Sequence, residues 1–418
     1  MRLIIQLLKI FKNYLLTFIK WLVISVIIGL VCGLIGSAFH LLVDYATNYR
    51  ETHNFLIYFL PVAGLIIMAL YKVFKSKGSM DTDRVIHSIR ENDNIPFVMV
   101  PLIFISTVIT HLFGGSAGRE GAALQIGGGL GYNLGKLFKF SERDLRMITR
   151  TGMSSVFSAL FGTPVTAAVF SLEVSHVGAL NFTGFFPCII ASVTSYYVSL
   201  LFGITHMGFG SINISSLSLV LVLKVVVLSM LCALLSVVFC ISIQKGEYFM
   251  KKYIKNAFLR AFLGGAVIVL LTILVGTYDY NGAGTKVIER AISGSARGYD
   301  FVLKIIFTAI TISAGFKGGE IIPSLFIGST FGCVISPLLG IDPSFGAAIG
   351  LVALFCGAVN CPITSVLLSV ELFGAQGILF FGVACAVSYI MSGYSGLYKS
   401  QKIEYSKLTS AHNNKDTE

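Results

Sequence analysis

The chain has 418 residues, of which 55% are hydrophobic and only 12% charged, with a mean hydropathy of +0.83. A water-soluble protein of this length could not cover its surface with so few polar side chains, so composition excludes a soluble globular class and puts the chain in a bilayer. The net charge of +11 does not point to nucleic acid, because the basic residues lie in short stretches between apolar segments: Lys72, Lys75 and Lys77; Lys136, Lys139, Arg143, Arg146 and Arg150; Lys245, Lys251, Lys252 and Lys255. That spacing is positive-inside asymmetry, which predicts a multi-pass protein of the cell membrane with both termini in the cytoplasm.

The first element is a basic leader, Arg2, Lys9, Lys12 and Lys20, followed by an uncharged run from Trp21 to Val43. A spanning helix needs about 20 apolar residues. The run is too long for a signal peptide and predicts an uncleaved membrane helix, with Gly29, Gly33 and Gly36 suited to close helix packing. The polar, aromatic stretch from Phe202 to Ser215 reads as the midpoint, and Val225 to Gln244 is a second uncharged run of spanning length. The expected division is a first membrane repeat over residues 1–210, carrying an N-terminal cytoplasmic helix, a second over 211–400, and a short cytoplasmic tail over 401–418 that is too brief for a regulatory domain. Eight cysteines sit singly in apolar stretches without metal-ligand spacing and read as small core residues, with no metal and no cofactor expected.

The two-repeat division rests on self-similarity. Pro164-Val-Thr-Ala-Ala-Val-Phe-Ser-Leu-Glu173 reappears as Pro362-Ile-Thr-Ser-Val-Leu-Leu-Ser-Val-Glu371, 198 positions later. Upstream, Gly118-Arg-Glu120 with Ile126-Gly127 and Gly131 is echoed by Gly318-Gly-Glu320 with Ile327-Gly328 and Gly332. A repeat of this kind in a polytopic chain predicts a pseudo-symmetric transporter with its site where discontinuous helices meet. Four stretches read as half-helices too short to span: Gly121–Leu134, Pro164–Leu172, Pro323–Ile335 and Pro362–Phe373. About eight or nine helical segments are expected per half.

Glu120 lies in a glycine-rich segment, Gly114 to Ala122, at the start of an apolar helix. An ionisable group at membrane depth is costly and marks function. Glycines let backbone amides face a cavity, and a helix N-terminus adds partial positive charge, so the segment favours an anion. The Glu120 carboxylate can itself fill an anion's place and leave it when protonated, which couples anion and proton movement. Pairing with Arg119 is disfavoured on the ground that adjacent residues on a helix do not face each other.

The Gly118-Arg119-Glu120-Gly121 segment, the Gly-Gly-x-x-x-Pro of Gly318 to Pro323 and the paired Pro-x-Thr segments resemble the chloride channel and transporter (CLC) family. The resemblance implies an all-α homodimer, each subunit an inverted repeat with its own pore. It assigns Glu120 as the external gating glutamate, the amides of Ile321 and Ile322 as central anion ligands, and Tyr398 as the inner tyrosine facing that anion. Gly118, Arg119 and Gly121 complete the anion-facing set.

Three departures from the chloride-selective pattern point to the family's fluoride-transporting branch. Where chloride members carry Gly-Ser-Gly-x-Pro, this chain reads Gly78-Ser79-Met80-Asp81-Thr82, leaving either Ser79 or Met80 as the coordinating residue. Glu320 replaces an apolar residue and, as the repeat counterpart of Glu120, suggests a second proton station. Val174 stands where chloride/proton exchangers place an internal proton-relay glutamate, and Glu173 and Glu371 read as structural. Phe326 offers the positive edge of its ring to an anion. The expected function is export of fluoride in exchange for protons across a bacterial inner membrane, with a chloride/proton exchanger or passive anion channel as the alternative of the same fold. A membrane-embedded enzyme using Glu120 and Glu320 as an acid/base pair is the distant alternative, without a nucleophile constellation to support it.

Overall fold

A computed structural model describes residues 2–74, 81–91, 93–180, 182–206, 208–210, 212, 217–409 and 412–417. Sixteen α-helices occur among the described residues: α1 (Arg2–Thr52), α2 (Leu60–Val73), α3 (Thr82–Glu91), α4 (Met99–Leu112), α5 (Glu120–Leu137), α6 (Glu142–Phe161), α7 (Pro164–Glu173), α8 (Phe185–Leu201), α9 (Leu219–Tyr253), α10 (Ala257–Val275), α11 (Thr285–Ile292), α12 (Asp300–Ala314), α13 (Ile321–Ile335), α14 (Pro343–Val359), α15 (Pro362–Phe373) and α16 (Ile378–Met391). Eight precede the expected midpoint and eight follow it. Six helical spans among the described residues are long and apolar enough to cross a membrane, and the chain is a multi-pass membrane protein.

Local chemistry sets many helix ends. Ser141, Ser218, Asn256 and Asp342 each accept a hydrogen bond from a first-turn amide at the N-cap of α6, α9, α10 and α14, satisfying donors that have no partner inside the helix. The basic leader continues without a break into the first spanning segment, because no Gly or Pro interrupts residues 2–28 and every residue there extends the helix.

The internal repeat is visible in the packing. A Cβ added to Gly127 would lie 2.3 Å from the Gly152 carbonyl oxygen, and one added to Gly328 would lie 2.3 Å from that of Gly350. Helices α5 and α6, and their counterparts α13 and α14, therefore touch backbone to backbone, the geometry that small residues permit in a membrane.

The short helices α7 and α15 cap each other. Glu173, at the C-terminal end of α7, accepts hydrogen bonds from Ile363 N (3.1 Å), Thr364 N (2.8 Å) and Thr364 Oγ1 (2.5 Å) at the start of α15. Glu371, near the end of α15, accepts from Val165 N (3.0 Å) and Thr166 N (2.8 Å) at the start of α7. Both carboxylates thus satisfy helix N-termini where lipid would leave the amides bare, in accord with their structural reading at helix ends.

Two length expectations need correction. The stretch from Pro323 to Ile335, expected to be too short to span, starts at Ile321 and continues through a 3-10 turn to Leu339, 19 residues that are long enough to cross. The helix predicted from Gly121 to Leu134 runs over 18 residues, a rise of about 27 Å at 1.5 Å per residue, so it is not short. Lys136 near its end does not stop it, because the ammonium stacks over the Tyr132 ring at 5.1 Å and bonds Asn94. Helices α7 and α15, of 10 and 12 residues, are short as expected.

The segment after Met391 folds back on the membrane core. β1 (His176–Val177) pairs in parallel with β2 (Lys402–Tyr405), which pairs antiparallel with β3 (His412–Asp416). Gln401 donates to the Val359 carbonyl (2.7 Å), and Thr417 Oγ1 donates to the Tyr398 carbonyl (2.5 Å). The tail is a buttress for the Tyr398 loop.

Candidate functional site: two helix ends and three side chains

The N-terminal ends of α5 and α13 meet head to head. Gly118 N donates to Gly319 O and Gly319 N to Gly118 O, both at 2.7 Å, in an antiparallel bridge. Only glycine fits here: a Cβ on Gly319 would lie 2.3 Å from Gly121 N, and one on Gly121 would lie 2.8 Å from Gly319 Cα. Gly319→Ala is expected to prevent folding, because backbone on both sides cannot retreat. Size-exclusion chromatography in detergent reads the outcome as aggregate in place of the wild-type peak.

Among the described residues, each helix leaves first-turn amides outside its own ladder at this junction. In α13 the first bond of the helical ladder runs from Ser324 N to Glu320 O, and in α5 from Ala123 N to Arg119 O. The N–H groups of Ile321 and Ile322, both fully buried, precede that bond, as do those of Gly121 and Ala122. Two helix dipoles and four unladdered donors converge, a setting that stabilises negative charge.

The Glu120 carboxylate, 2% exposed, occupies this setting. One oxygen accepts Arg119 N at 2.9 Å and lies where a Cβ on Gly118 would be, 2.5 Å from it; that same Cβ would be 3.1 Å from Ile322 Cβ. Glu120 therefore lies over Gly118, close to the first turn of α13. The expectation that Arg119 does not face Glu120 is corrected: its Nε is 3.7 Å from the other carboxylate oxygen. Arg119 is the N-cap, outside the helix proper, so helical side-chain directions do not bind it. Its guanidinium also pairs with Asp44 of α1, which holds His40 at 2.9 Å, so its charge is shared.

Glu320 is the N-cap of α13 and faces a different space. It lines a cavity of about 280 Å³ with Gly318, Tyr398, Gln125, Thr82 and Lys317. No ion pair of Glu320 occurs among the described residues, and the Lys317 ammonium sits over the Tyr71 ring, 5.0 Å from its centre. Tyr398 is 2% exposed, and its hydroxyl has no hydrogen-bond partner among the described residues, an unmet polar group beside a carboxylate. At the cavity rim, outside the spanning helices, burial pushes the Asp83 carboxyl up to about 6 against the hydrogen bond from Ser400 N. The charge at this mouth accordingly changes near pH 6.

The junction thus brings together Gly118, Arg119, Glu120, Gly121, Ile321 and Ile322, with Glu320 and Tyr398 on the cavity side. Phe326 is fully buried one turn beyond Ile322, its ring against Tyr280 with centres 6.2 Å apart. Ser79 and Met80 lie outside the described residues. Sequence reasoning did not single out Asp44, Lys304 or Gln125. Lys304 carried a signal: it is the one charged residue between Phe301 and Phe316, and it is fully buried with its ammonium over the Phe326 ring at 5.2 Å.

A family model described as voltage gated chloride channel matches residues 63–393. The chain belongs to this CLC family. A "Chloride/fluoride channel protein" of Pseudomonas syringae pv. tomato is 34% identical to this CLC protein over 395 residues, covering 93% of the chain and 87% of the relative. An "H(+)/Cl(-) exchange transporter ClcA" of Vibrio cholerae is 25% identical, covering 84% of the chain and 81% of that protein. Among solved structures, a CLC-type fluoride/proton antiporter superposes with a TM-score of 0.88 at 30% identity, over 92% of this chain and 98% of that one. A slow cyanobacterial Cl−/H+ antiporter, at 18% identity and a TM-score of 0.76 over 89% and 94% of the two chains, shares the fold. The mostly helical CLC architecture with two related halves follows from these matches together with the bridge and the reciprocal caps, the small sheet β1–β3 being an addition to the expected all-α fold.

Proposed function

We propose that this CLC protein is a secondary active transporter that moves fluoride in exchange for protons. The observation that carries the reading is the Glu120 carboxylate lying over Gly118 where two helix N-termini meet, with a second carboxylate, Glu320, one position from its expected counterpart: Glu320 is the N-cap of α13, as Arg119 is of α5, and the place of Glu120 is taken there by Ile321. Ionised, Glu120 fills the anion position. Protonated, it loses its attraction to the amides and yields the place to fluoride, so the two ions exclude each other at one site. Glu320 and Tyr398 face the cavity beyond that site; Glu320 relays the proton and the Tyr398 hydroxyl donates to the anion. Phe326 presents a ring edge, and Ser79 or Met80 completes the anion's surroundings.

The similarity to a fluoride/proton antiporter and to a chloride/fluoride channel protein supports fluoride as cargo. The basic residues Lys251, Lys399 and Arg260 around the cavity support a cytoplasmic mouth there, with both termini on that side of an inner membrane. Assembly as a homodimer, one path per subunit, completes the proposal. Purified protein in fluoride-loaded vesicles is expected to release fluoride with protons moving the other way, and to release chloride far more slowly. Equal chloride release, or fluoride release without proton movement, would give the function to the chloride exchanger or passive channel.

Glu320→Gln tests the second station. Proton-coupled flux is expected to fall by about a hundredfold, the usual size of a lost proton-transfer group, while fluoride binding by titration calorimetry stays within about threefold of wild type. A loss of binding with flux in proportion would place Glu320 in the anion site instead.

A further inference from the structure

A second cavity, of about 320 Å³, lies at the other end of α10. That helix starts near Arg260, which lines the first cavity, and ends near Tyr278, which lines the second, about 28 Å further along at 1.5 Å per residue. The far cavity has room for several waters, each occupying about 30 Å³ in the liquid, so a small ion can sit there partly hydrated.

Its lining carries two basic groups, Arg50 and Lys286, and two acidic ones, Glu51 and Asp279, but their pairing is uneven. Of its acidic groups, Glu51 is held by Lys286 at 2.6 Å, and Asp279 by Arg290 at 3.4 Å and Arg297 at 3.2 Å. Arg50, 6% exposed, lines the same cavity. Its Nη1 donates to the His111 carbonyl at 2.9 Å, and no carboxylate lies within ion-pair distance of it among the described residues. A Cβ on Gly282 would lie 2.9 Å from Arg50 Nη1. The Gly282 carbonyl accepts from Lys304 Nζ at 2.7 Å, and that of Tyr280 accepts from the same ammonium at 3.3 Å. Lys304 also has no carboxylate within ion-pair distance among the described residues. Two buried basic groups therefore flank Gly282, which lies between the lining residues Asn281 and Ala283, and neither has a carboxylate within ion-pair distance among the described residues, an expensive arrangement in a membrane protein unless an anion visits it.

The cavity also adjoins the helix-end site. Gly284, in its lining, would place a Cβ 2.7 Å from the Phe326 ring, and Lys304 lies over that ring. The first turn of α11, Thr285 to Val287, adds a helix N-terminus to the lining.

We propose that the far cavity is a second anion site, an antechamber for a hydrated small monovalent anion held by the Arg50 guanidinium, with Lys304, which donates to the Gly282 carbonyl, adding to its potential. It meets the Phe326 ring through Gly284, one turn of α13 from Ile322, and it concentrates the anion before the anion sheds water at the helix ends. This inference rests on the transport reading for its purpose, though not for its geometry. Arg50 is a steering group here and takes no part in proton exchange.

The test uses bromide, located by its anomalous scattering in crystals of the full chain, and fluoride uptake by proteoliposomes. Wild-type crystals are expected to show bromide beside Arg50, and Arg50→Gln crystals none. In uptake, transporters presenting this cavity to the loading side should need about tenfold more fluoride for half-saturation in Arg50→Gln, at the low end of what focused charge contributes to association, with the rate at saturation unchanged. Arg50→Lys should restore most of the loss. Thr47→Asp, which adds an opposing charge in the lining and leaves the bond from Arg50 to His111 in place, should reproduce the loss if Arg50→Gln fails to fold. No bromide at Arg50 in wild type, or half-saturation unmoved in both charge variants, overturns the antechamber. Absence of fluoride uptake by wild-type protein, with bromide still at Arg50, would instead sink the transport reading and leave the site standing.

Discussion

Glu120→Gln is expected to abolish proton-coupled fluoride exchange, lowering it by at least about a hundredfold, which is about 2.7 kcal/mol at 1.36 kcal/mol per decade. Glutamine has nearly the same shape, and its carbonyl oxygen can still accept from Arg119 N, the 2.9 Å bond seen for the carboxylate. Packing around Gly118 and Ile322 is therefore retained, and the variant should elute and melt like wild type. What is lost is the change of charge. An amide neither competes with fluoride at the helix ends as an anion nor carries a proton away from them. Simultaneous recording of fluoride and proton flux in proteoliposomes checks this. Unchanged coupled flux in a folded Glu120→Gln protein would remove the carboxylate from the mechanism and leave the junction as a structural bridge.

The second large effect concerns folding. Glu173 and Glu371 are counterparts in the repeat and make the same kind of cap, yet their surroundings differ. Glu173 is 4% exposed and receives three hydrogen bonds, while Glu371 is half-buried and receives two. Hydrogen bonds to a charged group contribute about 1.5–3 kcal/mol each, and a truncation that strands buried donors costs their desolvation as well. Glu173→Ala is expected to destabilise the protein by about 3 kcal/mol or more and Glu371→Ala by about half as much, because water can replace part of the lost cap at the more open end. Thermal unfolding in one detergent, with both variants side by side, reads the difference. Equal shifts would mean that burial does not distinguish the two caps.

Much of this was legible in the chain itself. The lone carboxylates of the repeat, Glu120 and Glu320, stood out because ionisable groups are rare in apolar stretches, and the Pro-x-Thr segments marked where helices restart. Arg119 was misjudged because its position as an N-cap, which frees its side chain from helical directions, depends on where the helix begins. Arg50 and Lys304 were passed over because Arg50 lies where the first apolar run gives way to polar residues, and a lysine in a long helix does not announce whether a carboxylate waits nearby. The length of α5 was misjudged for a related reason: Lys136 stacks on a neighbour's ring, so a charge near the helix end failed to end it.

Composition, basic loops and the internal repeat determined by themselves a many-helix membrane protein in two related halves, because burial in lipid demands apolar length and duplicated segments preserve their glycines and prolines. Only the tertiary structure decided that the two glycine-rich segments bridge each other, that Glu120 lies over Gly118 at that bridge while Glu320 opens to a cavity, and that Arg50 and Lys304, without a carboxylate partner among the described residues, flank Gly282. Those outcomes depend on distances between residues about 200 and more than 230 positions apart, and such distances are set by packing of the whole bundle rather than by any local pattern.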